Sequence, residues 1–248
     1  AKEGRVAAVN LCGGDEIFPG VAGTAICSVL DYTMARSGLT EKEARQQGYE
    51  PVYSLTAGPD RAHFMPGARP IVMKLICDGE SRRLLGMQVV GPGEAAKRAD
   101  VAVTAITAGM TVDRASKLDL AYAPRYGEAL DNFHTACNVL ENKLDGYMHG
   151  IPARRVKEKL DAGEEMTLLD VRPHEQYQEK HLPESRNVPL PVLRGRLREL
   201  PRARDIIVYS NVSQSAYEAN IILRANGFDP VQVMDGGLAI WSFDTVGE

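Results

Sequence analysis

Apolar residues in the first half of the chain fall into short runs of two kinds. "GTAICSVL" (23–30), "PVYSLTA" (51–57) and the two halves of "PIVMKLICDGESRRLLGMQVVG" (70–91) are apolar stretches bounded by glycine or turn residues. This pattern predicts strands, with "DGES" closing the last two into a hairpin. The other runs recur at helical spacing. "GEAAKRADVAVTAITAG" (93–109) places Val101, Ala105 and Ala108 on one face, and "DNFHTACNVLENKL" (131–144) does the same with Phe133, Cys137, Leu140 and Leu144. "LTEKEARQQG" (39–48) predicts a short helix, with Thr40 as N-cap, Glu43 three residues on and Gly48 past its end. Strands first and helices later give an α+β layout, an antiparallel sheet covered by helices.

The pattern changes after "NKLDGYMHGIPARR" (142–155), which has two glycines, a proline and no sustained period, so a linker is expected near 146–152. Beyond it strands and helices alternate. "RRVKEKLDAG" predicts a helix, "MTLLDV" a strand, "PHEQYQEKH" a short helix, and "LPVLRGRLREL" a helix with Leu193, Leu197 and Leu200 inward. "DIIVY" is the next strand, "SAYEANIILRANG" a helix ended by Gly227, and "VQVM" the last strand. Short buried strands alternating with helices argue for an α/β unit with a parallel sheet. The expected division is an α+β first domain over 1–147 and an α/β second domain over 148–248.

Composition narrows the class. The 248 residues carry a net charge of −4, 44% hydrophobic and 25% charged residues, ordinary values for a globular protein and not those of a nucleic-acid binder. No apolar run approaches the roughly 18–20 residues of a membrane span, and no basic-then-apolar leader opens the chain. The first residue is Ala, which suggests a processed or trimmed chain. Cys12, Cys27, Cys77 and Cys137 form no C-x-x-C and no zinc spacing with histidine. They are expected to be free buried thiols in a reducing compartment, hence a cytoplasmic protein, and no metal is expected.

The chemistry centres on "IIVYSNVSQSAYEANIILRANGF" (206–228). A β-branched run stops at Tyr209, small polar residues follow, and a helix begins. Ligands of a parallel α/β sheet sit beyond the carboxyl ends of its strands, and N–H groups converging before a helix make an anion nest. Ser210, Asn211, Val212, Ser213, Gln214 and Ser215 are therefore the candidate binding loop.

"LLDVRPHEQYQEKHLPESRNVPL", "IIVYSNVSQSAYEA" and "GFDPVQVMDGGLAIW" in this order resemble the rhodanese (sulfurtransferase) domain. In that family the loop opens with a cysteine that carries sulfur as a persulfide and usually ends on arginine or a similar polar residue. Ser210 and Ser215 stand at those two positions. A serine hydroxyl is a weaker nucleophile than a thiolate, forms no persulfide, and has no base evident nearby. Two departures in one loop favour natural loss over one engineered cysteine. The expectation is an intact cradle without sulfur chemistry, serving to dock a small anion or partner, or as a turn only.

"GVAGTAICSVLDYTMARSGLTEKEA", "HFMPGARPIVMKLICDGESRRLLGMQVVG" and "LDLAYAPRYGEALDN" resemble the C-terminal dimerisation domain of flavin-dependent pyridine nucleotide-disulfide reductases, in the branch of coenzyme A disulfide and persulfide reductases. The resemblance implies a homodimer through residues 1–147, each subunit completing the other's flavin site, and FAD and NAD(P)H in the complete enzyme. It places Tyr122 of "AYAP" near the partner's active cysteine, where a phenol can hydrogen-bond a thiolate or protonate a leaving sulfur. A second tyrosine is often found before the "PG" of "HFMPGA"; here Phe64 stands there, beside His63, and both are candidate substrate contacts. His134 is read as structural, "RGRLREL" as an exposed helix face, Glu164–Glu165 as a turn, and Lys97–Arg98 as solvated residues with a coenzyme A phosphate as the alternative. A dinucleotide site needs a strand, G-x-G-x-x-G and a helix in a βαβ unit. "GMQVVGPGEAAKR" lacks the third small residue, so no cofactor is assigned to this chain alone. The expected function is the dimer interface, trans site and rhodanese-like portion of an FAD- and NAD(P)H-dependent disulfide or persulfide reductase acting on coenzyme A or another small thiol, disulfide or persulfide. The alternative is a non-catalytic dimeric interaction or sensor module.

Overall fold

The structure is a computed structural model that describes residues 1–202 and 204–247. An N-terminal helix, α1 (Lys2–Leu11), buries none of its residues and had no counterpart in the strand and helix pattern. The expected strand at 23–30 is β1 (Ala25–Val29), and it is followed by a partner the pattern did not give, β2 (Tyr32–Gly38). Then come α2 (Glu41–Gln46), β3 (Pro51–Pro59), β4 (Pro70–Asp78) and β5 (Leu84–Gly91). The capping box forms as expected: Thr40 Oγ1 accepts from Glu43 N at 3.2 Å, and Glu43 Oε2 accepts from Thr40 N at 2.7 Å.

These strands make one antiparallel sheet in the order β1-β2-β5-β4-β3. Its period-two pattern separates two faces. Ile71, Met73, Leu75 and Cys77 of β4 face a core shared with α3 (Ala96–Thr107), the short α4 (Val112–Ala115) and α5 (Asn132–Leu144), where Ala99, Ala102, Phe133, Cys137 and Leu140 meet them. Ile76 turns to the opposite face and packs on Ala44 of α2. Each fully buried side chain of the Phe133 or Leu140 kind contributes about 1.5–3 kcal/mol through lost contact with water. Cys77 and Cys137 are buried as expected, whereas Cys12 and Cys27 are exposed, because α1 and β1 have no layer packed over them.

The second unit runs β6 (Gly150–Ile151), α6 (Ala153–Asp161), β7 (Met166–Asp170), α7 (His174–Glu179), β8 (Arg186–Asn187), α8 (Leu190–Arg196), β9 (Asp205–Tyr209), α9 (Gln214–Ala225) and β10 (Val231–Met234). All its strand pairs are parallel, in the order β6-β10-β9-β7-β8. Leu169, Val208 and Val233 point to the side covered by α8 and α9, and Leu168, Ile207 and Met234 to the side covered by α6. The stretch expected as linker thus ends in an edge strand: Gly150–Ile151 pairs with Val233–Met234. No described helix is long and apolar enough to cross a membrane.

Candidate functional site

The Ser210 loop leaves the carboxyl end of β9 and enters α9 within four residues. Its floor is set by the residues after β10. Ser210 O accepts from Leu238 N at 2.9 Å and Asn211 O from Ala239 N at 3.0 Å. That approach requires Gly237: a Cβ there would lie 2.4 Å from Ser210 O, and its φ is +60°. Ser213 Oγ donates to Met234 O at 3.1 Å. On the other flank Asn211 Nδ2 donates to Gln176 Oε1 (2.8 Å), and Asn211 Oδ1 accepts from the Arg172 guanidinium (3.3 Å). Arg172 is itself fixed by Asp170, with Nε 3.0 Å from Oδ1 and an Nη 2.6 Å from Oδ2.

Ser210 is only 4% exposed, and its Oγ has no hydrogen-bond partner among the described residues. The N–H groups of Asn211, Val212 and Ser213 likewise meet no acceptor among the described residues. α9 carries no acidic residue in its first turn and no side-chain cap. Such a loop has donors to spare and a partial positive charge at the helix start, which suits an anion. It has no base on Ser210, so the hydroxyl stays a poor nucleophile. Asn211, Val212 and Gln214 are exposed, and Ser215 is half-buried.

The other candidates lie on the first unit. Ala62 N donates to Pro124 O at 3.2 Å, so the turn bearing His63 and Phe64 is bonded to the segment bearing Tyr122. The His63 and Phe64 rings meet edge-on at 5.5 Å, and both side chains are exposed. Tyr122 is 55% exposed and makes no side-chain hydrogen bond among the described residues. The structure therefore brings His63, Phe64 and Tyr122 onto neighbouring segments. No hydrogen bond or ion pair among the described residues links them to the Ser210 loop.

A polar cluster stands under these segments. Burial pushes the Asp60 carboxyl upward, but Arg61 and the N–H groups of Arg69 and Glu94 outweigh it and hold the acid below its ordinary 3.8. Arg98 is fully buried and paired with Asp131 at 2.8 Å, and Lys97 Nζ lies 3.6 Å from the same carboxylate. Reading Lys97–Arg98 as a solvated pair is corrected for Arg98. It lies four and seven residues before Ala102 and Ala105 on the buried face of α3, and that spacing was the available signal. His134 Nε2 donates to Leu118 O at 2.8 Å, which places the ring proton on Nε2.

The residues at "GPGE" do not fit a nucleotide phosphate. A Cβ at Gly91 would lie 2.4 Å from Pro70 O and one at Gly93 2.7 Å from Arg69 O, so both glycines serve strand packing. The N–H of Glu94, at the entrance to α3, is already bound by the Asp60 carboxylate.

Residues 24–134 match the profile of the pyridine nucleotide-disulphide oxidoreductase dimerisation domain, and residues 152–244 that of the rhodanese-like domain. The chain joins a reductase dimerisation domain to a rhodanese-like domain. The NAD(P)H coenzyme A polysulfide/persulfide reductase of Pyrococcus horikoshii is 39% identical over 140 residues, 56% of this chain and 31% of that protein. A NAD-dependent persulfide reductase from A. fulgidus superposes with a TM-score of 0.89 at 42% identity, over 97% of this chain and 43% of that one. Reduced Bacillus anthracis CoADR-RHD gives 0.88 at 30% identity, again over 97% and 43%. The chain spans less than half the length of these relatives, and the two solved structures match both of its domains together.

Proposed function

We propose that this chain supplies the dimer interface, a trans-acting site and the rhodanese-like domain of a disulfide or persulfide reductase of the coenzyme A type. The reading divides the chain at 147/148 and places it in a homodimer formed through residues 1–147, in the cytoplasm. The observation that carries it is the superposition of both domains on a persulfide reductase at 42% identity over 97% of the chain. FAD and NAD(P)H belong to the complete enzyme, and none is assigned to residues of this chain.

In this reading Tyr122 acts across the dimer. Its phenol is exposed and uncommitted, so it is free to donate its proton to the departing sulfur, which leaves as a thiol while the phenol becomes a phenolate. His63 and Phe64, one hydrogen bond away through Ala62 and Pro124, would contact the thiol-bearing substrate. The loop from Ser210 to Ser215 would hold an anionic substrate group through its free N–H donors without forming a bond to sulfur.

The test uses the complete gene product. It should carry flavin and oxidise NAD(P)H with coenzyme A persulfide, and Tyr122→Phe should lower kcat about a hundredfold with little change in KM. Thiosulfate-to-cyanide sulfur transfer should be absent. A product without flavin or turnover would favour the second reading, a dimeric interaction module, which the lack of a nucleophile at Ser210 supports.

A further inference from the structure

The Tyr122 segment and the His63–Phe64 turn share one buried support. Arg98 Nη2 donates to Asp60 O at 2.7 Å, at the start of the turn, and to Asp131 Oδ2 at 2.8 Å, at the end of the Tyr122 segment. Its Nε reaches Asp131 Oδ1 at 3.2 Å, and Nη1 reaches Glu94 O at 3.0 Å, at the entrance to α3. Asp131 also caps α5 by accepting from Phe133 N at 3.0 Å. Gly127, inside the Tyr122 segment, packs on this cluster: a Cβ there would stand 3.5 Å from Asp131 Oδ2 and 3.9 Å from Arg98 Nη2. Lys97 Nζ donates to Tyr126 O at 3.5 Å from the same side.

A buried guanidinium is a costly way to fill space. Desolvation offsets much of the attraction in such a pair, and well-packed apolar residues are often as stable. What an apolar substitute lacks is directionality. The planar fork fixes two main-chain oxygens and a carboxylate at set angles, and those three acceptors belong to three different segments.

We propose that Arg98 is a positioning residue that sets the Tyr122 segment against the His63–Phe64 turn; the inference rests on reading those residues as one trans site. Arg98 touches no substrate. It acts through the two segments it spans, so its loss should loosen both together while the sheet beneath stays intact.

Amide hydrogen exchange on the full 248-residue chain tests this without any assay of activity. In Arg98→Met/Asp131→Leu, which removes both charges, amides of 60–68 and 119–130 should exchange at least about tenfold faster, with β3–β5 unchanged. Arg98→Lys keeps the charge but not the fork; it should show the same pattern more weakly, and it decides the matter if the double variant does not fold. Wild-type protection in both segments of a folded variant, or loosening of only one, overturns the proposal. In the complete enzyme, Arg98→Lys should lower kcat about tenfold, but less than about twofold in a Tyr122→Phe background. Equal losses in both backgrounds would mean a general structural defect and would also overturn it. Absence of wild-type turnover would refute the trans-site reading, while the exchange result would still decide what Arg98 holds.

Discussion

Lys143 Nζ lies 2.7 Å from Asp235 Oδ1, and this ion pair ties the last turn of α5 to the residue that follows β10. The same ammonium donates to Tyr53 O at 2.9 Å and sits 4.8 Å from the Tyr53 ring, which Lys74 also approaches at 4.2 Å. Burial raises the Asp235 carboxyl above its ordinary value, against the opposing pull of Lys143. The stretch between α5 and β6 is held to α9, where Asn220 donates to Tyr147 O and Arg224 to Gly146 O. Asp235 stands two residues before Gly237, which packs against Ser210 and Asn211, so the interdomain contact and the candidate anion cradle share one strand end.

Lys143→Met should therefore cost more than a surface ion pair would. It leaves a buried carboxylate without its cation, and breaking such a pair by removing one partner typically costs about 3–5 kcal/mol. Calorimetry of the variant should show an earlier transition, and Lys143→Met/Asp235→Leu should recover most of the loss. Equal melting of wild type and Lys143→Met would mean that the pair is solvated.

Gly237→Ala addresses the loop. The added methyl would meet two main-chain oxygens, at 2.4 Å from Ser210 O and 2.7 Å from Asn211 O, and neither belongs to a flexible side chain. With the left-handed backbone at this residue, the expected cost is about 1–3 kcal/mol. The bonds Leu238 N–Ser210 O and Ala239 N–Asn211 O should open, visible as faster exchange of those two amides.

Much of the fold is legible because it is local. The capping box needs only Thr40 and Glu43, and α3 and α5 declare themselves by apolar spacing. β2 is hidden because "YTMARSG" mixes Arg36, Ser37 and Gly38 into a strand whose alternation is weak, and its pairing with β1 and β5 makes it one. α1 is helical without a buried face, so no apolar stripe marks it. The Ser210 loop is likewise readable as strand, turn and helix. The support under Tyr122 is not: Asp60, Arg98 and Asp131 are far apart in the chain, and Arg98 beside Lys97 looks like any charged pair on a helix. What joins them is a bond geometry that only the folded chain displays.

Asp60 should give the protein part of its acid sensitivity. Its folded pKa lies below the ordinary 3.8, so its stabilisation is present above 3.8 and is lost as pH falls through the lower folded value. Asp60→Asn weakens charge-assisted bonds to Arg61, Arg69 N and Glu94 N. A loss of about 2–3 kcal/mol at neutral pH is expected. Urea titrations at several pH values should show the gap between wild type and variant narrowing below pH 3.8. A gap independent of pH would mean that the carboxylate's charge contributes nothing.

The four thiols should separate into two classes by reactivity. Thiolate is the reacting species, so a thiol whose pKa is raised by burial is slow to alkylate even when a reagent reaches it. Burial, with Asp78 adding to it, pushes the Cys77 thiol up to about 12. Cys137 is likewise raised by burial, with Glu141 and then Cys77 adding to the effect. Both sit in the core between β4 and α5, so access also requires opening of that core. Cys12 and Cys27 are exposed on α1's end and on the edge strand β1. Iodoacetamide at neutral pH should therefore label Cys12 and Cys27 within minutes and leave Cys77 and Cys137 unmodified until denaturant is added, as read by peptide mass spectrometry. Protection of Cys27 as well would map β1 into a covered surface of the proposed homodimer. Labelling of Cys137 at the rate of Cys12 in native protein would contradict the packing of α5 on the sheet.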